Sequence, residues 1–269
     1  MQFVSFNPLR TLHLSGARYI KPELYIRHLD EVQQADWILF PEYWQVNTLV
    51  YGLQKRIFPS SASYHLGHDK VEMTRAFQAL FPAHVPHTAI LPPTAAAYEQ
   101  ILEQFDFPLV AKEVRNSMGR GVYLIENRSQ LRDYIERNAV LYVQERLPIE
   151  RDLRVVVVGR KVVTAYWRIA AEGSFHNNVA QGGSVSFDEI PSQALQLVER
   201  VAAACGIDHA GFDVAVVDGH CYLLEFNTLF GTDALNARGI RIEPLILEYL
   251  SSISGQSPDG PGRRPPLAA

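Results

Sequence analysis

Three oxygen-bearing side chains, Asp213, Glu225 and Asn227, interrupt the apolar text AGFDVAVVDGHCYLLEFN. Side chains alternate faces along a strand, so Glu225 and Asn227 share one face and Leu224 and Phe226 the other. Asp213 joins the first face only if the hairpin loop has an odd number of residues. A three-residue loop Val217-Asp218-Gly219, with Gly219 left-handed as a G1 bulge, meets that condition, whereas a two-residue Asp-Gly loop turns Asp213 away. Two carboxylates and an amide oxygen on one face suit Mg²⁺, a hard cation that takes one or two protein carboxylates and completes its shell with phosphate oxygens and water. Mn²⁺ accepts the same donors. Such a site calls for a nucleotide. The alternative is an exposed face carrying ordinary acids, against which stand the poor strand propensities of Asp and Asn among apolar neighbours.

Cations appear where burial makes them costly. Lys112 lies inside the apolar strand PLVAKEV, and a desolvated ammonium needs a compensating anion such as a phosphate. The loop that follows, Asn116-Ser117-Met118-Gly119-Arg120-Gly121, carries glycines that let backbone N–H groups approach phosphate oxygens, with Ser117, Gly119 and Gly121 as candidates. It matches neither GxxxxGK[ST] nor GxGxxG, and a glycine-bearing hairpin turn reads equally well. Arg168, in AYWRIA, is another cation in an apolar strand; Arg154 follows Asp152. Here the plain alternative is a local Asp152–Arg154 pair with Arg168 turned outward. His176, Asn177 and Asn178 occupy a polar loop beyond Arg168 and could offer imidazole and amide groups to phosphate or metal, though most Asn-rich loops are turns. The remaining histidines lack zinc-like spacing.

These residues need strands and helices to hold them. Apolar runs at 3–6 and 37–40 alternate with helix-like stretches at 25–35 and 46–56, a small α/β layer over residues 1–67. A helix is expected over 68–81, ended by Pro82, Pro86, Pro92 and Pro93. Residues 68–253 then read as two α+β lobes, about 68–142 and 143–253, with helices over 129–137 and 192–205 and hairpins turning near Gly159 and Gly219. Residues 254–269, rich in Pro and Gly, read as a disordered tail.

The chain of 269 residues is 47% hydrophobic and 20% charged, enough to bury a real core. Its net charge of -4 argues against nucleic acid as an obligate partner, since such proteins usually show a basic surplus. No run of the chain approaches the roughly 18 to 20 apolar residues of a membrane span, so no membrane partner is expected and the cytoplasm is the expected location. Cys205 and Cys221 sit in apolar stretches and read as reduced, buried thiols.

The segments PLVAKEVRNSMGRGVYLIEN, VLYVQERLPIERDLRVVVVGRKVVTAYWRIAAEGSFHNNVAQGG and AGFDVAVVDGHCYLLEFN resemble, in order and spacing, the ATP-grasp superfamily and within it the ribosomal-protein glutamate ligase (RimK-like) branch. The resemblance covers roughly residues 68–250 and implies an α/β ATP-grasp fold behind a small N-terminal domain. It places Lys112 and Lys70 on the nucleotide phosphates, and Gln144 and Glu145 with the backbone of Arg146 and Leu147 on the adenine. Asp152 falls on a further nucleotide-contacting position. Arg168 and Asn178 fall near the transferred phosphate, with His176 and Asn177 in the same loop. Asp213, Glu225 and Asn227 match ligands of two magnesium ions.

The implied activity is ATP-dependent joining of a carboxylate to an amine through an acyl phosphate, with a small molecule, peptide or protein as substrate. A nucleotide-binding regulatory module without ligation and a phosphotransferase are the competing readings. Association of identical chains stays open. The sequence departs from the branch at Arg115-Asn116 in the glycine loop and at TLFG after Asn227, which borders the acceptor site, and its region before Lys70 is short.

Overall fold

The computed structural model describes residues 1–114, 121–169 and 184–255. Ser117, Gly119, His176, Asn177, Asn178 and the tail beyond 255 lie outside these residues. Among the described residues the strands form three sheets.

The first sheet joins β1 (Phe3–Ser5), β2 (Ala17–Tyr19), β3 (Trp37–Leu39) and β4 (Ile57–Phe58) in the parallel order β2-β1-β3-β4. The apolar runs of the sequence supply its two inner strands. Helix Leu29–Gln34 covers part of the stretch expected to be helical, whereas 46–56 divides between a short helix Tyr43–Asn47 and a wide turn Thr48–Gly52.

The second sheet comprises β5 (Thr88–Leu91), β6 (Leu109–Lys112), β7 (Val122–Ile125) and β8 (Leu141–Glu145) in the order β5-β8-β6-β7. Helices Ala95–Gln104 and Arg128–Arg137 pack on it through Ala97, Ile101, Leu131 and Tyr134. Asn127 caps the second helix by accepting from Ser129 N and Gln130 N, which is why that helix starts where it does.

The third sheet contains β9 (Arg151–Val158), β10 (Lys161–Ile169), β11 (Ser184–Ser186), β12 (His209–Val217) and β13 (His220–Asn227), antiparallel in the order β11-β10-β9-β12-β13. One face presents Leu153, Val155, Val157, Trp167, Phe212, Val214 and Phe226 to helix Ser192–Cys205 and to Met73 and Phe77 of helix Lys70–Leu80. The opposite face is divided. Val156, Val158 and Tyr166 join Phe3, Trp37, Leu39 and Phe58 of the first sheet and Ile246 and Leu250 of helix Ile242–Ile253, while the other end of the same face is charged. That burial fixes which strand residues remain available for chemistry, because in a period-two element one face must fill the core.

Two adjacent buried groups set an acid-sensitive balance. Burial pushes the Asp208 carboxyl up to about 6, although Ser60 N and Ser63 Oγ donate to it at 2.7 and 3.2 Å. Burial pulls His209 down to about 3. For Asp208 the raised value makes stability fall as pH rises from about 4 to 6; for His209 the lowered value makes stability fall as pH drops below 6.5. The two oppose each other between pH 4 and 6. His209→Asn, which keeps a donor to the Thr228 carbonyl, should therefore gain relative stability as the pH falls, by about 1.4 kcal/mol per pH unit. Denaturation midpoints of both chains across pH 4–8 check this; parallel curves would refute it.

Candidate functional site

The hairpin β12–β13 closes through a two-residue loop, not the expected three. Val217 pairs with His220, and Asp218 and Gly219 both have positive φ, 49° and 79°, as a type I′ turn requires. Left regular, that turn would set Asp213 opposite Leu224. The ladder instead shifts between Asp213 and Val214: Val214 pairs with Leu223 and Asp213 with Glu225, leaving Leu224 as the extra residue. A β-bulge within the strands, rather than one in the turn, restores the phase. Asp213 and Glu225 face each other, and Asn227 lies two pairs further on, opposite Gly211.

The same rows continue into the neighbouring strands. Asp213 pairs with Arg154 of β9, and Asp152 of β9 pairs with Arg168 of β10, so all four share the face of Glu225 and Asn227. Arg168 grips Asp152 with two bonds, Nε to Oδ1 and Nη2 to Oδ2, both 2.7 Å, and its Nη2 reaches Asp213 Oδ2 at 2.9 Å. Arg168 is thus turned into the site, and Asp152 takes Arg168 rather than Arg154. Arg154 belongs to Asp213, with Nη2 donating to Oδ2 at 3.3 Å. Its Nε lies 2.6 Å from Asp213 Oδ1, but the N–H is not aimed at that oxygen, and both atoms stay buried without a hydrogen bond. Burial pushes Asp152 up to about 6 against the Arg168 bonds. Burial also opposes the charge on Arg168, but Asp213 and Asp152 outweigh it and raise its pKa.

Gly211 makes room for this arrangement. A Cβ there would lie 2.6 Å from Arg154 Nη1 and 3.2 Å from Phe230 Cβ. Gly211→Ala should push the guanidinium off Asp213, costing roughly 1–3 kcal/mol of stability as overpacking does. A melting curve tests this, and an unchanged midpoint would show that Arg154 yields freely.

Lysines approach from the other elements. Lys70 opens helix Lys70–Leu80, which Asp69 caps, and its Nζ stands 3.6 Å from Glu225 Oε2; its backbone N–H donates to Val114 O at 3.3 Å, tying the helix to the strand that leads into the glycine loop. Lys112 ends β6, is buried, and lies 5.4 Å from the Tyr142 ring centroid. Burial pulls its ammonium down while Glu225 and Asp213 oppose. Gly121, with φ 69°, accepts from Glu113 N at 2.7 Å and so closes the foot of the glycine loop beside Lys112. The side chains of Gln144 and Glu145 turn to β5 and the residue before it: Gln144 Nε2 donates to Thr88 Oγ1 at 2.8 Å and Glu145 Oε1 accepts from His87 N at 2.6 Å. The backbone of Arg146 and Leu147 continues from β8 towards β9.

Among the described residues no three His, Cys, Asp or Glu side chains are arranged to hold a metal. The set here is two carboxylates and an amide, too few ligands for zinc but suited to a cation that brings phosphate and water oxygens with it. Glu225, partly exposed and with its oxygens in long contacts of 3.6 Å to Lys70 and 3.4 Å to Asn227, is the carboxylate that such a cation would draw in. The residues present fit the group.

A family model described as RimK-like ATP-grasp domain matches residues 70–250. The chain belongs to this family. Among its RimK-like relatives, a probable alpha-L-glutamate ligase of Parasynechococcus marenigrum is 36% identical over 150 residues, 53% of this chain and 32% of that protein. A probable alpha-L-glutamate ligase of Haemophilus ducreyi is 29% identical over 72% of this chain and 65% of its own length, and a ribosomal protein bS6–L-glutamate ligase of Escherichia coli is 31% identical over 53% and 50%. The chain thus spans from about a third to just under two thirds of the length of these relatives. The fold is shared with an ATP-grasp RimK domain protein from Sphaerobacter thermophilus, TM-score 0.69 at 15% identity, covering 93% of this chain and 99% of that one. It is shared equally with D-alanine–D-alanine ligase from Bacillus anthracis complexed with ATP, TM-score 0.68 at 15% identity, covering 95% and 99%. The ATP-grasp fold expected from the sequence is therefore the fold found.

Sequence reasoning underrated Arg154, because a charge at the start of a strand reads as an edge residue. It missed Arg10 and His209 altogether, both of which contact the segment after Asn227.

Proposed function

We propose that this RimK-like chain is an ATP-dependent carboxylate–amine ligase, with residues 68–253 as the ATP-grasp unit and 1–67 as its small N-terminal domain. The observation that supports it is one partly buried, charge-matched face: Asp213, Glu225 and Asn227 opposite Lys70 and Lys112, with Arg168 braced between Asp152 and Asp213. Lys70 and Lys112 bind nucleotide phosphate oxygens. The backbone from Gln144 to Leu147 holds the adenine, and the face bearing Asp152 and Arg168 holds the transferred phosphate. Magnesium, or manganese, held by Asp213, Glu225 and Asn227 supplies charge that offsets the phosphate oxygens.

A carboxylate oxygen is a poor leaving group and a phosphate a good one. Transfer of the γ-phosphate to the substrate carboxylate therefore lets an amine displace phosphate and form the amide. No side chain of the chain need act as nucleophile; Arg168, charged and fixed by two hydrogen bonds, stabilises the oxyanion formed as the amine adds. The relatives' names, glutamate ligase and bS6 ligase, support an amino acid joined to a peptide or protein.

Incubation with ATP, Mg²⁺ and pooled amino acids and peptides, with mass detection, should yield ADP, free phosphate and a condensed product short of one water. ATP binding without ADP under every condition would overturn the reading in favour of a nucleotide-binding module, and phosphate retained on product in favour of a phosphotransferase.

A further inference from the structure

The second sheet turns Ala89, Leu109, Ala111, Leu141 and Val143 toward its two helices, so strand alternation leaves Lys112, Tyr142 and Gln144 together on the opposite face. Register makes Tyr142 the direct cross-strand partner of Lys112. Tyr142 is fully buried, and the Lys112 ammonium stands over its ring, 5.4 Å from the centroid. The ligation scheme gives this tyrosine no part.

Both members of the pair are braced. Tyr134 Oη, from helix Arg128–Arg137, donates to Lys112 O at 2.7 Å and accepts from Tyr142 N at 3.0 Å, which clamps the two backbones together. At the far end of the ring, Tyr142 Oη lies 2.8 Å from Thr74 Oγ1. Thr74 stands one turn after Lys70 on helix Lys70–Leu80, so the helix that sends Lys70 toward Glu225 also fixes the ring beside Lys112. Burial pushes the Tyr142 phenol up to about 12, so the hydroxyl keeps its proton and the ring stays neutral.

A buried ammonium needs compensation, and among the described residues no carboxylate pairs with Lys112; Glu225 and Asp213 favour its charge from beyond ion-pair distance. The negative face of an aromatic ring supplies part of what is missing. It does so without consuming an N–H. A carboxylate in the same place would take one of the three ammonium donors and repel an arriving phosphate, whereas the ring leaves every donor for phosphate oxygens.

We propose that Tyr142 is the positioning residue for Lys112: its ring face holds the ammonium in the buried site with the N–H groups left for a nucleotide phosphate. This deepens the ligase reading above and rests on its nucleotide site. Without the ring face the ammonium swings toward Glu225 and Asp213. Phosphate binding must then reverse that movement, and the apparent affinity drops by the fraction of chains still competent.

The test is calorimetric titration of the full chain with ADP and Mg²⁺, and separately with adenosine. It compares the unaltered protein, Tyr142→Phe, Tyr142→Leu and a chain carrying a trifluorinated phenylalanine at the same position. Fluorine withdraws charge from the ring face while nearly keeping its shape, so it separates the electrostatic role from packing. Tyr142→Phe should bind ADP within about threefold of the unaltered chain. The trifluorinated ring and Tyr142→Leu should each bind ADP about tenfold weaker than Tyr142→Phe, while adenosine, which has no phosphate, binds all folded chains alike. Equal ADP affinity for the plain and fluorinated rings would overturn the proposal, and so would a loss shared by adenosine. An unaltered chain that binds no ADP would overturn it as well. The comparison of the two rings decides even if Tyr142→Leu does not fold. Failure of the ligase reading looks different: ATP gives no condensed product, whatever the ADP series shows.

Discussion

Glu225→Ala is expected to reduce ATP turnover by at least about a thousandfold, the rate equivalent of roughly 4 kcal/mol of lost charge stabilisation. The side chain pairs across the hairpin with Asp213, takes a long 3.6 Å contact from Lys70 and receives the Asn227 amide at 3.4 Å. It is only partly buried, so its loss leaves no large cavity, and stability should change by no more than about 1 kcal/mol. The two readouts must therefore diverge: ADP production vanishes while the melting temperature holds. A variant that keeps wild-type turnover would remove Glu225 from the metal site and with it the main support for the ligation chemistry.

Arg168→Met is expected to damage both properties. Arg168 is the only described partner of the Asp152 carboxylate by hydrogen bond, and it also contacts Asp213; the paired carboxylates are both buried. Removing one member of a buried charge cluster leaves the others uncompensated, which costs about 3–5 kcal/mol. If Arg168 also stabilises the oxyanion, turnover at a temperature where the variant is still folded should fall about a hundred- to a thousandfold. Arg168→Lys separates the two effects, since an ammonium keeps the charge but cannot reproduce the paired bonds to Asp152. It should recover more stability than activity. Chemical denaturation with ATP turnover on the same samples measures both, and an Arg168→Met chain with full turnover would assign Arg168 to structure alone.

Much of the site could be read from residue types because its charges stand inside apolar strands. Lys112 in PLVAKEV, Arg168 in AYWRIA and Glu225 in YLLEFN each break a hydrophobic run, and a strand cannot hide such a residue without a partner. Asp152 and Arg154 were harder. They open β9, where a local pair is the simplest reading, and only the cross-strand registers to β10 and β12 reveal that each belongs to a different neighbour. Arg10 and His209 gave no signal at all: one is a single cation in a turn, the other a single histidine that opens a strand, and what matters in both is proximity to Phe230, distant in sequence from either. Helix Ile242–Ile253 also went unread, although Ile242, Leu245, Ile246, Tyr249, Leu250 and Ile253 recur at the three- and four-residue spacing of an amphipathic helix.

The hairpin shows most clearly where one-dimensional reasoning stops. The Asp-Gly pair is a strong signal for a two-residue turn, yet the need to bring Asp213 onto the face of Glu225 argued for three. Both requirements were right, and the chain reconciles them by spending one residue, Leu224, in mid-strand. Nothing in the identity of Leu224 marks it as the extra residue.

For anyone re-engineering the molecule, that bulge acts as a phase break. The outer arm of the hairpin, Val214–Leu223, and the inner residues from Glu225 to Asn227 are indexed separately, so the turn at Asp218-Gly219 is a natural port for grafting a longer loop, a fluorophore or a new chain end without rotating the carboxylates. Deleting Leu224 is the complementary intervention: the ladder without its extra residue still pairs Val214 with Leu223 and Asp213 with Glu225, so the carboxylates keep their face and only the local twist of the bulge is lost.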